Sequence, residues 1–593
     1  MMPMNGGRPP VSPERWQMAA RMHRLHWRLK WSHCDTARRK ARFLLRLGLQ
    51  PVLAVARAAV GTRRYGREVA RVAGVPRWRQ FLQQCAIGAR FFGFTPDTYY
   101  RYKIHSESYF GQLQLEVADQ LFLTGALRND GFSTFGASAR RHWYPKASAA
   151  WEFTEALGGG TGLLSFGKLR AAWGQAGNEP PVYGTVGGLT AAPLLDGGWG
   201  SNFVTSALGQ GGVYTGLSRA QPDLKPERTS ELELGADLSF LQDRIALGAT
   251  WYHARTEDAI LLARVTPSTG YFQQLRNAAT LRNRGVELSL QMRPVQRRGL
   301  SWEIEGTWAH NDNRVLSFGD TATEFVVLQG GFASATGAAY RGGRVGVLQG
   351  NDYARCGRGL VVGGVDIDAA CGTGARKDAL YIAADGFPIL DPTLRVIGDP
   401  HPDWTASLRN SLNLGAVQLM ALLDVKQGGD LWNGTRGALY SYGTHRDTEQ
   451  RASCQRVAGR LQCSGNERVF GQDLLPGAVA GPGAGTAVPI GENWWRTGLG
   501  TSFNGVNAPF IEDGSYVKLR EVALSYSVPG RYAQRLGLSG IGLRVAGRNL
   551  KTWTDYTGLD PETNVAGGTN LRGVDYFTNP QTRQWILSVD LNR

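Results

Sequence analysis

The sequence predicts a mainly β protein: an antiparallel transmembrane β-barrel preceded by a basic α-helical segment. Two observations predict this fold. After residue 105, apolar and polar residues alternate with a period of two over many segments, a pattern typical of strands with one apolar and one polar face. The excess positive charge of this 593-residue chain, +17 in total, lies entirely before that point. Since a barrel strand crosses the membrane with about ten residues, residues 106–593 would supply about 12–14 strands, in a barrel that need not close.

Residues 1–105 form a basic segment that differs from the remainder. They hold 21 Lys and Arg residues together and 4 Asp and Glu residues together. Residues 106–593 hold 45 basic and 45 acidic residues. Ser12 and Pro13 suit the N-cap and the first position of a helix. Further helices are predicted over residues 36–47, 51–60, 65–72 and 77–92. Their arginine-rich faces suit nucleic-acid phosphates or an anionic membrane surface, or they are merely solvated.

The basic segment does not resemble a signal peptide. Its best apolar run, residues 51–61, is interrupted by Arg57 and begins far from the N-terminus. The chain offers no 18 consecutive uncharged apolar residues, so the sequence predicts no membrane-spanning helix.

The strand at residues 231–240 shows the alternation most clearly, because leucines at 232, 234 and 238 and Phe240 alternate with acidic and small residues. A soluble sandwich or propeller would bury these leucines, whereas a membrane barrel would turn them towards lipid. A propeller repeat of about 40–50 residues is not found. Short turns occur beside long glycine-rich stretches at residues 318–395 and 433–509, as in outer-membrane barrels. The pattern therefore favours a barrel.

In a barrel, the acids and arginines of the polar faces would line the lumen. The predicted lumen-facing residues are Glu231, Glu233, Asp237, Glu287, Glu303, Glu305, Arg544 and Arg548. Acids two residues apart on a strand, such as Glu303 and Glu305, share a face and could also serve as glycosidase carboxylates. Such pairs are abundant, which favours a solvated wall over a catalytic site.

Four cysteines form two close pairs inside the glycine-rich stretches. Cys356 and Cys371 are 15 residues apart, and Cys454 and Cys463 are 9 residues apart. In an oxidising compartment each pair would form a disulfide. The alternative is four free or buried thiols.

The sequence shows no motif for catalysis, metal binding or a cofactor. The nine histidines lack metal-ligand spacing, and P-loop and G-x-S-x-G motifs are absent. We therefore predict a protein that is not an enzyme and has no metal and no cofactor. A transported substrate would meet aromatic and carboxamide side chains, which stack on sugar rings and bond hydroxyls. The candidates for such contacts are Trp432, Asn433, Trp494 and Trp495.

Eight phrases of the sequence occur in an order that matches a known family. They are YFGQLQLEVADQLFLTGALRNDGFSTFG (109–136), KLRAAWGQAGNEP (168–180), QPDLKPERTSELELGADLSF (221–240), NAATLRNRGVELSL (277–290), VIGDPHPDW (396–404), GGDLWNGT (428–435), DGSYVKLREVALSYSVP (513–529) and GRNLKTWTDYTGLDPE (547–562). Residues 106–593 thus resemble the C-terminal barrel portion of the SusC/RagA-like TonB-linked outer-membrane transporters.

The resemblance implies a barrel in the cell outer membrane that imports oligosaccharides or peptides. It also implies a SusD-like lipoprotein, the TonB complex and outer-membrane lipid as partners, with nucleic acid not among them. Complete members carry a signal peptide, a β-sandwich extension, a TonB box and a plug domain, and none is recognisable here. We therefore expect a truncated transporter that need not be active alone, joined to a basic segment, residues 1–105, that is unrelated to the barrel.

Two alternatives remain open at the level of sequence. One is a soluble or surface-bound protein whose basic N-terminus contacts nucleic acid or an anionic membrane, and the other is a surface adhesin. Residues 92–105 also resemble, weakly, the lead-in of the sugar-transfer-associated ATP-grasp proteins. That short similarity implies no function.

Overall fold

One large antiparallel sheet dominates the part of the chain that the structure describes. A computed structural model describes residues 61–70, 101–136, 140–160, 162–187, 189–191, 213–215, 218–319, 325–329, 335–503, 505–567 and 571–593. All of these residues belong to one compact unit, residues 56–593.

Fourteen strands, numbered β1 to β14, follow one another across this sheet in chain order, and each pairs antiparallel with the next. They are Gly61–Ala70, Arg101–Val117, Leu121–Phe132, Arg141–Trp151, Leu164–Asn178, Glu227–Phe240, Ile245–Arg264, Gln273–Arg297, Leu300–Ser317, Trp404–Leu414, Val417–Gln427, Tyr516–Val528, Gly540–Trp553 and Gln584–Asn592. The short strand Ser218–Arg219 pairs parallel with β8 and makes the sheet 15-stranded. The mainly β fold with about 12–14 strands is confirmed. Among the described residues β1 and β14 do not pair with each other, so the described part of the sheet is open.

The first strand corrects one prediction about the basic segment. The helix predicted over residues 65–72 is wrong, because Gly61–Ala70 is a strand of the large sheet. Its register runs from Gly61 opposite Phe110 to Ala70 opposite Arg101. The physical reason is that ten consecutive residues satisfy their backbone groups against a neighbouring strand, which local helix propensity cannot outweigh. The other predicted helices of the basic segment lie outside the described residues.

Connections at the two ends of the sheet differ in length. The turns that follow β2, β4, β6, β8, β10 and β12 lie at one end and have 2 to 12 residues. The loops that follow β3, β5, β7, β9, β11 and β13 lie at the other end and have 8 to 88 residues. In the turn after β6, Leu241, Gln242 and Asp243 have φ values of 54°, 57° and 62°, which reverse the chain within four residues. One end of the sheet is therefore smooth, and the other carries a thick layer of loops.

Helices are short and lie in the connections. They are α1 Phe153–Ala156, α2 Ile367–Cys371, α3 Gly434–Tyr442, α4 Glu492–Trp495 and α5 Gly530–Arg535, with 3-10 turns at Pro267–Thr269, Arg446–Thr448 and Ala508–Phe510. Within the described ranges, none of the helices has the length and apolar character needed to cross a membrane.

The loops also form small sheets of their own. A four-stranded sheet contains Phe325–Gln329, Thr336–Tyr340, Val345–Tyr353 and Leu390–Gly398, and a three-stranded sheet contains Ile511–Asp513, Asp430–Asn433 and Val574–Asp575. Two-stranded pairs join Leu189–Ala191 with Val213–Thr215, Val361–Val362 with Val365–Asp366, Leu380–Tyr381 with Val479–Ala480, Ser453–Val457 with Arg460–Ser464, and Glu467–Val469 with Ala487–Pro489.

The largest apolar clusters lie in this loop layer. One cluster joins the loop after β9 to the loop after β11 and consists of Tyr353, Leu380, Ile382, Phe470, Val488, Ile490, Trp494, Trp495 and Val506. A second contains Ala335, Leu348, Trp432, Phe510, Leu571 and Val574. Since burying apolar surface stabilises by about 25 cal/mol per Å², these loops are held together by their own cores.

Candidate functional site

Strand register places the predicted lumen-facing residues on one face of the sheet, which we call the polar face. Directly opposed residues share a face, and Tyr252 is opposite both Glu233 and Gly285. Glu287 lies two residues beyond Gly285 on β8 and therefore points the same way. The same register argument, continued from β6 to β13, places on this face Glu231, Glu233, Asp237, Glu287, Glu303, Glu305, Arg544 and Arg548. That the polar face lines an aqueous lumen stays a prediction.

Opposite charges pair across the polar face from strand to strand. Arg170 Nε of β5 lies 2.8 Å from Asp237 Oδ2 of β6. Arg409 Nη1 of β10 lies 3.2 Å from Glu305 Oε2 of β9. Ladders of opposite charges on one face stabilise strand pairing where the side chains contact water, so the wall is polar and part of its charge is neutralised within it.

Two further acids of the polar face are held by arginines. Glu521 of β12 bonds Arg544 and also accepts a hydrogen bond from Arg548 Nε at 2.8 Å. Glu303 accepts a hydrogen bond from Arg293 Nε at 3.2 Å. Each of these carboxylates is engaged by a guanidinium, so none is free to act as an isolated general acid or nucleophile. This arrangement supports a wall rather than a glycosidase pair.

The opposite face of the sheet, the apolar face, exposes large hydrophobic side chains. Leu232 and Leu234 are 38% and 46% exposed, although both lie inside the strand β6. Other strands expose Leu113, Leu127, Leu169, Trp173, Leu288, Leu419, Leu524 and Val545. A continuous apolar surface of this extent is unfavourable in water and favourable against hydrocarbon.

Two disulfides cross-link the loop layer. Cys356 and Cys371 are joined at an S–S distance of 2.07 Å and enclose α2. Cys454 and Cys463 are joined at 2.09 Å and face each other across the hairpin of Ser453–Val457 and Arg460–Ser464. Both bridges lie in the loops that carry the apolar clusters.

The disulfide Cys356–Cys371 closes the longer of the two loops. Removing it with the double substitution Cys356→Ser, Cys371→Ser is expected to destabilise that loop by about 3 kcal/mol, because this is the entropy lost by the unfolded chain when a loop of 15 residues is closed. Limited proteolysis should show faster cleavage within residues 357–370. The double substitution Cys454→Ser, Cys463→Ser is the matched comparison and should have a smaller effect, because its loop has 9 residues. Four reactive thiols at these positions in oxidised, denatured protein would contradict both bridges.

A cavity of about 660 Å³ lies within the loop layer. It is formed chiefly by the loop after β11, and Tyr353 from the loop after β9 also lines it. Its volume falls within the range of about 300–1,000 Å³ that is usual for ligand pockets. We call it the loop cavity.

Aromatic rings and one arginine form the inner surface of the loop cavity. The ring of Tyr440 packs edge-on against Trp495 at 4.9 Å and against Phe510 at 5.7 Å between centroids. Arg436 lies 5.4 Å from the centre of the Phe510 ring and forms an ion pair with Glu512 at 2.8 Å. Burial and the hydrogen bond to Asp447 raise the pKa of Tyr440 above its ordinary value, so its phenol stays protonated.

Charged side chains of both signs surround these rings. The charged residues that complete the lining are Arg446, Asp447, Glu449, Arg468 and Asp473. Arg468 Nη2 donates to the Gln450 carbonyl at 3.2 Å, and Asp473 accepts from the Val469 amide at 2.8 Å. A cavity with an aromatic inner surface and a charged rim can stack against a ring or an apolar side chain and bond polar groups around it.

The four predicted substrate contacts have different surroundings. Trp494 and Trp495 line the loop cavity and are 3% and 6% exposed. Trp432 is 0% exposed and packs in an apolar cluster. Asn433 is 2% exposed, and its side chain caps α3 by accepting from the Arg436 amide at 2.9 Å. Since neither Trp432 nor Asn433 lines the loop cavity, we do not include them in the candidate site.

An ion network that sequence reasoning missed fastens the loop after β13 to β12. Lys518 Nζ lies 2.6 Å from both Asp560 Oδ1 and Glu562 Oε2. Arg520 bonds Glu562 and lies 2.6 Å from Asp424. Burial alone would raise the pKa of Glu562, but the bonds from Arg520 and Lys518 lower it to about 2. One sequence feature could have indicated this network. The motif K-x-R at residues 518–520 lies in one of the eight phrases, and the motif D-x-E at residues 560–562 lies in the next.

In the described part of the chain, no group of three or more His, Cys, Asp and Glu side chains could hold a metal ion.

A smooth turn end, a loop-covered end, a polar face and an apolar face define the wall of an outer-membrane type of β-barrel. Residues 35–370 match the model of the family described as "TonB dependent receptor-like, beta-barrel". The chain therefore belongs to the family of TonB-dependent receptor-like β-barrels. The matched range begins within the basic segment.

Relatives that match the chain in sequence carry the same family name. The chain is 24% identical to TonB-dependent receptor P3 of Formosa agariphila over 82% of its own length and 45% of the relative. It is 28% identical to TonB-dependent receptor SusC of Bacteroides thetaiotaomicron over 37% of its length and 22% of SusC. Among solved structures, the RagAB peptide transporter shares the fold with a TM-score of 0.59 at 17% identity, covering 84% of this chain and 49% of the other. The chain spans about half the length of the TonB-dependent receptors P3 and P26, to which it is similar.

Proposed function

We propose that this chain supplies wall strands and outer loops to a TonB-dependent importer of oligosaccharides or peptides. The proposal is supported by one arrangement in particular: all long loops lie at one end of a sheet with one polar and one apolar face. Such a wall gives a hydrated path on one side and a lipid contact on the other. The chain itself performs no chemistry in this role.

We infer the cellular setting from the same features. The apolar face would contact the lipid of the outer membrane, and the loop layer would face the exterior. A SusD-like lipoprotein would cover the loops, and the TonB complex would supply energy to the assembled transporter. The similarity to SusC and to the RagAB peptide transporter supports these partners.

We infer that the loop cavity takes part in substrate capture. Its aromatic rings and its rim of both charges suit a sugar ring or a peptide side chain better than an extended apolar ligand. Arg446 and Glu449 are exposed at its rim, so changing them should leave the packed rings in place.

The substitutions Arg446→Gln and Glu449→Gln together are expected to weaken binding of a captured oligosaccharide or peptide about tenfold, which corresponds to about 1.4 kcal/mol. Binding would be measured by calorimetry on the full chain in detergent, with maltooligosaccharides and mixed tripeptides as probes. Arg456→Gln is the matched control, since Arg456 is exposed on a neighbouring hairpin and does not line the cavity.

Three results would count against the proposal. One is full binding by the double variant, and another is the absence of binding by any probe. The third is the recovery of the protein in the soluble fraction, without the shift in gel mobility on heating that folded barrels show.

A further inference from the structure

A second pocket, which we call the asparagine pocket, lies on the polar face towards the long-loop end. Its volume is about 290 Å³. Three asparagines line it, Asn283 of β8 with Asn311 and Asn313 of β9. The register confirms that they share the polar face, because Asn283 is opposite Asn313 and Asn311 is opposite Gly285. Arg282 of β8 and, from two loops, His401 and Arg572 complete its polar lining.

Two of the three asparagines present hydrogen-bond donors to the pocket rather than acceptors. Asn311 Oδ1 already accepts from the Tyr252 hydroxyl at 3.0 Å, and Asn313 Oδ1 accepts from the Val345 amide at 2.8 Å. The oxygens of these two carboxamides are thus engaged. Their NH₂ groups form no hydrogen bond with any described residue and stay available as donors.

Of the two loop residues, Arg572 adds further donors, whereas the ring of His401 is held by Asp399, which bonds its Nδ1 at 2.7 Å. Arg572 is exposed and forms no ion pair within the described ranges, so its guanidinium fork is available to a ligand.

The pocket lining carries positive charge and no negative charge. Arg282 and Arg572 line it, and no Asp or Glu is among its lining residues. Arg282 is paired with Asp312 at 3.1 Å, whereas Arg572 has no ion pair within the described ranges. An excess of one sign in a concave site concentrates ligands of the opposite sign.

We propose that the asparagine pocket binds a carboxylate group of the transported ligand. A carboxylate offers two oxygens, each with two acceptor positions, which suit the NH₂ donors and the bidentate fork of Arg572. The volume is at the lower end of the range for ligand pockets, so the pocket takes one charged residue of a longer ligand. This inference rests on the proposed import function and names its preferred substrate class. An acidic glycan and an acidic peptide both carry the required group.

The test is calorimetric titration of the full chain in detergent with three probes of similar length. They are an oligogalacturonate, an oligoglutamate and a neutral maltooligosaccharide. At least one carboxylated probe should bind ten times more tightly than the neutral probe, and which one binds identifies the source of the carboxylate. The substitution Arg572→Gln should remove that preference, and raising the salt concentration should weaken it.

Two further variants distinguish a loss of binding in the pocket from a general loss of the folded structure. Asn311→Leu should also weaken the carboxylated probe tenfold while leaving the neutral probe unchanged. Arg297→Gln, at the opposite end of β8, should bind like the unmodified chain.

Equal binding of charged and neutral probes, or an undiminished preference in Arg572→Gln, would overturn this inference and leave the import proposal intact. Absence of binding by every probe would overturn both.

Discussion

Replacing Lys518 by methionine is expected to lower the free energy of unfolding by about 3–5 kcal/mol. The side chain of Lys518 is 4% exposed, and its ammonium group lies between the carboxylates of Asp560 and Glu562, 2.6 Å from each. Methionine keeps most of the side-chain volume but leaves both carboxylates without that partner, and burying unpaired charge is costly. Urea unfolding of the detergent-solubilised chain, followed by the shift in gel mobility on heating, would measure the loss.

Lys551→Met provides the matched control for this variant. Lys551 is an exposed lysine on the neighbouring strand β13, and substitutions at such positions change stability by about 0.5 kcal/mol or less. If Lys518→Met and Lys551→Met unfold at the same urea concentration, the ion network does not fasten the loop after β13.

The same network predicts a dependence of stability on pH. The pKa of Glu562 is lowered to about 2 in the folded chain, against about 4.3 for an unperturbed glutamate. The unfolded state therefore binds the proton more readily, so the stabilisation is complete above about pH 4.3 and is lost as the pH falls towards 2. Glu562→Gln should remove this acid-dependent part of the unfolding curve, and an unchanged curve would contradict the assignment.

Replacing Leu232 by arginine is expected to prevent or strongly weaken assembly of the sheet in a bilayer. Leu232 lies near the middle of β6 on the apolar face and is 38% exposed. A charged residue on the lipid side of a barrel strand costs about 2–4 kcal/mol near the bilayer centre. Refolding into liposomes, scored by the fraction of protein with heat-modifiable mobility, would measure the effect.

Glu233→Arg is the control for this second variant, because Glu233 is the next residue on the same strand and lies on the polar face. It keeps a charged side chain on that face and should leave membrane assembly nearly unchanged. If both variants refold equally well, the apolar face does not contact lipid. If Glu233→Arg impairs membrane assembly more than Leu232→Arg does, the polar face and not the apolar face contacts lipid.

The strands and their faces were predictable from sequence to a considerable extent. Alternation over residues 231–240 and 286–292 predicted β6 and part of β8, and the same pattern predicted the face of each residue. The long loops were predicted at 318–395 and 433–509, close to the observed connections 318–403 and 428–515. These features are local, because a period of two is encoded by the order of neighbouring residues.

Features that depend on distant partners were not predictable in the same way. A helix was expected over 65–72, but residues 65–70 belong to a strand because their backbone pairs with residues about 40 positions later. Trp432 was expected to face a substrate, yet it is buried because Leu348 and Val574 pack around it from other loops. A local pattern carries no information about such neighbours, since tertiary contacts outweigh weak local preferences.

The sequence by itself determined the class of fold, the division into a basic and a neutral part, the polar and apolar faces of strands such as β6 and β8, and the occurrence of long loops beside short turns. Only the tertiary structure decided which charges meet and which pockets exist. Lys518 bonds Glu562, which lies 44 positions later in the sequence. The asparagine pocket is formed by β8 and β9 together with loops near residues 401 and 572. The physical reason is that alternation sets the direction of a side chain, whereas strand register and loop packing set its distance from residues that are remote in sequence.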